Sequence, residues 1–223
     1  MQRIFDIIFS LAAIIALLPI FFVVILILKF TGEGEIFYLQ ERIGLKKKKI
    51  YLIKFATMVK NSENIGTGTL TLHNDPRILP FGKFLRRSKI NELPQLFNIL
   101  FGDMSVIGPR PQTQRCFDAF PKKYQDEIVS IVPGLSGVGS IFFRNEDKMT
   151  KESDNPSRFY DEVIMPYKAE IEIWYIKNRN VKNYFYLIIQ TLVAVLFPSS
   201  KFLNKLYNSL PEPPEPLKKY ILN

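Results

Sequence analysis

The chain has 223 residues and a formal net charge of +9, enough length for one sizeable domain plus an anchoring segment. A basic balance points to an anionic partner, either nucleic acid or the anionic face of a membrane. A single cysteine, Cys116, excludes an intramolecular disulfide, and a single histidine, His73, gives little support for a His-based metal cluster or a Ser–His–Asp triad.

Residues 7–28 are almost continuously apolar, interrupted by Ser10 and Pro19. At the helical rise this run just crosses a hydrocarbon core of about 30 Å. It is too long for a signal peptide, and no small-residue cleavage site follows it. Two readings stay open. One is a transmembrane span; the other is a helix that enters the bilayer, kinks at Pro19 and returns to the same side. A proline near the middle removes a backbone hydrogen bond and bends the helix. Arg3 precedes the run, while Lys29 and the lysines at 46, 47, 48 and 49 follow it. Positive charge on both flanks fits both ends at the cytoplasmic face.

Gly32 and Gly34 end the helix, and residues 36–39 read as a short strand or interfacial segment. The four lysines form a solvated turn suited to anionic lipid heads. Residues 50–55 read as a second strand, with Lys54 at its end. Residues 61–74 are polar, with Gly66 and Gly68, and read as a loop; Asp75, Pro76 and Arg77 mark a turn.

The stretch from Arg86 to Pro111 concentrates cations, a carboxylate, amides and helix-start signals. Leu93, Leu96, Phe97 and Leu100 recur at helical spacing, predicting a helix from near Ser88 or Asn91 to about Gly102. Pro94 is tolerable in a first turn, whose amides have no intrahelical partner. Those amides, with Arg86 and Arg87 just before them, would suit a phosphate, and Glu92 could hold a divalent metal beside it. A capped surface helix with solvated arginines is the competing reading.

Farther on, residues 117–132 read as helical with a break at Pro121, and 133–140 as a glycine-rich loop. Residues 144–157 are charged and exposed. Residues 159–178 form a helix kinked or divided at Pro166, with Tyr160, Val163, Ile164, Tyr167, Ile171 and Trp174 along one core-facing stripe. Residues 184–197 are apolar but too short to span a bilayer comfortably, which suits a buried or interfacial helix. Phe202, Leu203, Leu206, Tyr207 and Leu210 form an amphipathic stripe suited to an interfacial helix. Residues 211–216 read as an extended, polyproline-like segment leading to a short mobile tail.

Taken together, these motifs resemble those of the bacterial sugar transferases, the monotopic polyprenyl-phosphate phosphoglycosyl transferases. The resemblance runs from Arg3 to about Phe197. It is carried by Arg3-Ile4-Phe5-Asp6, Pro19, Gln40-Glu41-Arg42-Ile43-Gly44, Lys54-Phe55, Thr57-Met58, Asp75-Pro76-Arg77-Ile78, Leu85-Arg86, Glu92-Leu93-Pro94-Gln95-Leu96 and the run from Gly102 to Pro111. Pro133-Gly134-Leu135-Ser136-Gly137 matches more loosely.

The resemblance implies an α+β enzyme at the bacterial inner membrane. A kinked re-entrant anchor at residues 1–30 would precede a mainly helical cytoplasmic catalytic domain at 31–198, with interfacial amphipathic helices. An amphipathic, proline-rich tail would occupy 199–223. It implies transfer of a sugar-1-phosphate from a nucleotide diphosphate sugar to undecaprenyl phosphate, initiating surface glycan synthesis. By position, Glu92 is the Mg2+ ligand, Arg86 and Arg110 are phosphate-contact candidates, and Lys54 and Gln95 are supporting substrate-binding residues. Further partners implied are anionic lipid, another copy of the chain or downstream glycosyltransferases; no nucleic-acid module accompanies the charge.

Departures from the pattern are concentrated near the expected chemistry. Asn91 stands where the family places its nucleophilic aspartate, and a carboxamide is not an ionised nucleophile. Leu18 precedes Pro19 where serine is common, and Ala56 stands where arginine is usual. Gly139-Ser140 replaces a glutamine-containing loop. The alternative to an enzyme is a catalytically silent membrane scaffold that binds polyprenyl phosphate or glycosyltransferases.

Overall fold

Twenty-nine residues, Gln2–Phe30, form one continuous helix, α1, with Pro19 inside it. This is a computed structural model, and it describes residues 1–65, 75–197 and 200–220. His73, Gly66 and Gly68 lie outside the described residues. The fold is α+β and mostly helical. Among the described residues, α1 is the one helix long and apolar enough to cross a membrane. At the helical rise it is about 44 Å long. Most of its surface carries exposed apolar side chains such as Phe22, Val23 and Phe30, while Phe21, Val24 and Leu28 are buried.

Contacts divide the chain into two compact units that interleave in sequence. One comprises Ile7–Glu41 and Tyr51–Phe101; the other comprises Met1–Asp6, Arg42–Ile50 and Gly102–Asn223. The expected strands are both present and somewhat longer: β1 (Phe37–Ile43) pairs with β2 (Lys49–Phe55). Between them Leu45–Lys47 makes a single 3-10 turn, with Lys46 and Lys47 both at positive φ. The lysine-rich turn is exposed, as its composition predicts.

In the unit holding most of α1, Phe21, Val24 and Leu28 pack with Phe55 of β2 and Leu85. Phe21 meets Phe55 at 5.4 Å and Phe97 edge-on at 5.9 Å between ring centroids. Leu85 belongs to α2 (Pro80–Arg87), which has proline at its start, where the missing N–H is no loss.

The helix expected from Ser88 or Asn91 is corrected here. α2 ends at Arg87, Lys89 reverses the chain at φ 61, and Ile90–Glu92 forms a 3-10 turn. Only after Pro94 does α3 (Gln95–Phe101) begin. The apolar spacing marked α3 correctly, but the polar residues before it form two separate turns. Arg86 and Arg87 thus lie in the last turn of α2, where cations complement the helix dipole. They do not precede a helix start.

In the other unit, β3 (Ser105–Ile107) pairs in parallel with β4 (Gly134–Ser136), matching Ser105 to Gly134 and Ile107 to Ser136. Residues 133–140 are therefore not simply a loop. They supply β4 and the start of α6 (Val138–Phe142). A Cβ at Gly134 would collide with the Gly108 backbone, and one at Gly137 with the Gly108 carbonyl. These glycines serve close backbone packing, which is indistinguishable in sequence from a need for flexibility.

The break at Pro121 is present, between α4 (Gln114–Asp118) and α5 (Lys122–Ile128). The charged segment after Arg144 contains α7 (Glu146–Lys151) and α8 (Pro156–Phe159). Tyr160–Ile164 then forms a π-helical turn leading into α9 (Met165–Lys177), so Pro166 sits at a new helix start. Ile164, Tyr167 and Ile171 of the expected stripe are buried. Two charged residues, Lys168 and Glu172, are buried beside them.

α10 (Val181–Leu196) buries Tyr184, Leu187 and Ala194 and exposes Ile189, Leu192, Val195 and Leu196. Near the chain's start, Asp6 is buried and accepts from Ser105 Oγ (2.9 Å), the Val106 N–H (2.9 Å) and the Tyr184 hydroxyl (2.8 Å). The C-terminal expectation also needs correction. Lys201–Leu203 and α11 (Asn204–Tyr207) are two short turns, and Leu203, Leu206 and Leu210 join the protein core instead of facing lipid. The extended segment leads into α12 (Glu215–Lys218), whose Leu217 is fully buried. As far as residue 220 this part of the chain is held by packing; the last three residues of the expected tail lie outside the described residues.

Candidate active site

β2, the turn after α2 and the chain between them enclose a cavity of about 390 Å3. Lys54, Arg86, Asn91 and Glu92, four of the six residues singled out from sequence, line it. Its position follows from local packing. The residues after β2 run past the start of α2, and the Leu79 N–H donates to the Thr57 carbonyl at 3.0 Å. Gly82 faces Thr57 so closely that any Cβ would enter the Thr57 carbonyl. One turn farther along α2, the Arg86 guanidinium reaches Thr57 Oγ1 at 3.3 Å. Burial lowers the Arg86 pKa, with Asp75 and Glu92 pulling the other way. A partly desolvated guanidinium is a strong attractor for phosphate oxygens.

Glu92 comes from the 3-10 turn and stands 3.7 Å from Lys54 Nζ, with the two side chains 21% and 14% exposed. β2 positions that lysine. On the same strand, the Ile53 N–H donates to Asn98 Oδ1 at 2.9 Å, and Asn98 Nδ2 returns a bond to the Tyr51 carbonyl at 2.8 Å. A buried amide from α3 thereby clamps the strand that carries Lys54. Another wall is held by Arg77, whose guanidinium bonds both Asp75 carboxylate oxygens (2.9 and 2.6 Å) and the carbonyls of Ser62 and Ile65 (both 2.7 Å). Ser62 and Asn61 line the cavity.

The cavity contains residues that sequence reasoning left without a role. Glu35 and Lys60 form an ion pair at 2.8 Å, and Gln40, Thr57 and Lys89 also contribute to the lining. Gln40 and Thr57 fall within motifs that the sequence singles out; Lys89 falls beside one. Nothing in the pattern marks Glu35 or Lys60. Two expected residues lie elsewhere. Gln95 is fully buried at the start of α3 and does not line the cavity; neither amide atom has a hydrogen-bond partner among the described residues. Arg110 belongs to the other compact unit, where its guanidinium donates to the Leu135 carbonyl at 3.1 Å.

Asn91 Oδ1 is buried and has no hydrogen-bond partner among the described residues. Chemically, the cavity can gather anionic oxygens on Arg86 and its lysines, and Glu35 and Glu92 add carboxylates to its wall. Among the described residues that line it there is no cysteine or histidine.

The family model for bacterial sugar transferases matches residues 1–198 of this sequence. The chain belongs to that family. Within these sugar transferases, it is 39% identical over 148 residues to a putative undecaprenyl-phosphate N-acetylgalactosaminyl 1-phosphate transferase of Bacillus subtilis, covering 66% of this chain and 80% of the relative. It is 34% identical over 159 residues to the exopolysaccharide production protein ExoY of Sinorhizobium fredii, covering 65% and 70%. A longer match, 30% over 214 residues, is to the undecaprenyl-phosphate galactose phosphotransferase of Salmonella typhimurium. It covers 88% of this chain but only 40% of that relative. The transferase chain described here thus spans most of the first two relatives and less than half of the third.

Proposed function

We propose that this chain transfers a sugar-1-phosphate from a nucleotide diphosphate sugar to undecaprenyl phosphate at the cytoplasmic face of a bacterial inner membrane, initiating a surface polysaccharide. The observation that carries this reading is the cation-lined cavity bearing Glu92, in a chain matched by the sugar transferase family over residues 1–198. Relatives named for undecaprenyl-phosphate and UDP-glucose transfer indicate the two substrates. α1 supplies membrane attachment, and in this reading it enters the bilayer, bends at Pro19 and returns.

Phosphoryl transfer needs its reactants held in line and its phosphate charge neutralised. Arg86 and Lys54 supply positive charge for the donor's diphosphate. Magnesium fits the residues present: Glu92 offers a carboxylate and Asn91 an oxygen with no hydrogen-bond partner among the described residues. No group of three or more His, Cys, Asp or Glu side chains suited to a metal occurs among the described residues. Substrate phosphate and water would therefore complete the set, as is usual for this ion. When bound, magnesium would neutralise charge on the transferring phosphoryl oxygens.

Because Asn91 is a carboxamide, the nucleophile in this reading is a phosphate oxygen of the acceptor. It forms a bond to the sugar-bearing phosphorus as that phosphorus releases the bridging oxygen of the departing nucleoside monophosphate. The test is turnover by the full chain in lipid nanodiscs, with undecaprenyl phosphate, magnesium and a panel of UDP-sugars. Release of UMP together with formation of lipid-linked sugar is expected. Binding of undecaprenyl phosphate without UMP release from any donor would replace the transferase by a scaffold.

A further inference from the structure

We propose that Lys89 is a substrate-binding residue for the donor's diphosphate and helps determine its affinity; this rests on the transferase reading above. Among the described residues four cations line the cavity, Lys54, Lys60, Arg86 and Lys89, against two carboxylates, Glu35 and Glu92, leaving a net charge of +2. Lys60 pairs with Glu35 at 2.8 Å and Lys54 with Glu92 at 3.7 Å. Lys89 has no ion-pair partner among the described residues. An anionic ligand with two adjacent phosphates matches that surplus.

The backbone supplies the second observation. Lys89 adopts φ 61 and ψ 9, in the left-handed region. There a residue bearing a Cβ is strained relative to glycine. Its N–H donates to the Arg86 carbonyl (3.2 Å), and its own carbonyl accepts from the Glu92 N–H (3.1 Å). The strained residue therefore links the turn carrying Arg86 to the one carrying Asn91 and Glu92. A cap for α2 would be served better by glycine at this position. A strained lysine on a cavity wall instead points to a use for its ammonium.

The experiment measures UDP and inorganic pyrophosphate affinity calorimetrically with magnesium, using the full chain in nanodiscs and its Lys89→Gly, Lys89→Gln and Lys89→Arg variants. Donor and acceptor KM values are measured alongside. Lys89→Gly is expected to unfold at the same or a higher temperature than wild type while losing about tenfold or more in UDP affinity. Lys89→Gln should lose as much, Lys89→Arg should retain affinity near wild type, and donor KM should rise without a matching change in acceptor KM. UDP affinity within twofold of wild type in Lys89→Gly and Lys89→Gln would overturn the proposal, as would an effect confined to acceptor KM. Failure of wild type to release UMP, with Lys89-dependent UDP binding intact, would reject the transferase reading and leave the diphosphate-binding role of Lys89 standing.

Discussion

Lys54 Nζ and Glu92 Oε1 stand 3.7 Å apart in a partly buried wall of the cavity. That separation permits attraction but exceeds a good hydrogen bond. The pair holds the carboxylate on the cavity wall. Glu92→Gln is expected to lower kcat by about a hundredfold or more, the scale of losing one charge-organising group in a transition state. Its thermal unfolding midpoint should stay close to wild type. Chelating magnesium should abolish UMP release in wild type, and Glu92→Gln should need a higher magnesium concentration for its residual rate.

Asn91 makes a separate prediction about the order of chemical events. Wild type should release UMP only when undecaprenyl phosphate is present, and intact-protein mass spectrometry should detect no sugar-phosphate adduct. Asn91→Asp restores an ionisable carboxylate at this position. It is expected to release about one equivalent of UMP per protein without acceptor and to gain the mass of a sugar-1-phosphate. Acceptor-independent release by wild type would contradict direct transfer.

Gly82 tests how the cavity is held open. Any Cβ at this position enters the Thr57 carbonyl, and Thr57 in turn accepts from Arg86. Gly82→Ala should destabilise the protein by about 1–3 kcal/mol, the range for overpacking. Turnover should fall further than stability alone explains, because α2 must move and carry Arg86 with it. Chemical denaturation and UMP release, measured on the same preparation, separate the two effects.

Glu172 predicts a pH dependence of stability in the larger unit. Burial pushes its carboxyl up to about 8 from an ordinary 4.5, against the pull of Lys168 and backbone N–H bonds from Arg110 and Gly139. Gly139 leaves room for this group, since a Cβ there would strike Glu172 Oε1. A folded-state pKa above the unfolded value stabilises at low pH. This contribution is complete below about 4.5 and is lost as pH rises through about 8. Across that window the loss approaches about 1.4 kcal/mol per pH unit. Glu172→Gln should flatten the profile and be the more stable protein near pH ~9, as read from unfolding midpoints at several pH values.

Much of the candidate site was legible in sequence because its residues sit in short, chemically dense motifs. Lys54, Arg86, Asn91 and Glu92 were all singled out and all line one cavity. The local structure was harder to read. Periodicity located α3 through Leu96 and Phe97, but it could not place the chain reversal at Lys89, because lysine carries no left-handed signature. Glu35 and Lys60 were invisible because they are 25 residues apart and meet only in the fold. The glycines at 134 and 137 suggested a loop because sequence cannot distinguish a need for freedom from a need for thinness. Leu203, Leu206 and Leu210 had a pattern suited equally to lipid or protein, and the protein core took them.

The core that receives those leucines also gathers Phe5 and Leu217, more than two hundred positions apart. The other unit draws only on residues 7–41 and 51–101. During synthesis, that smaller unit has all its parts once residue 101 has emerged. The larger one must wait for Leu217 while its apolar surfaces stay unmatched. Such delayed closure exposes a nascent chain to aggregation. Shortening the protein at Pro211 would therefore leave this core without Leu217, making stop codons in the last few turns damaging to folding.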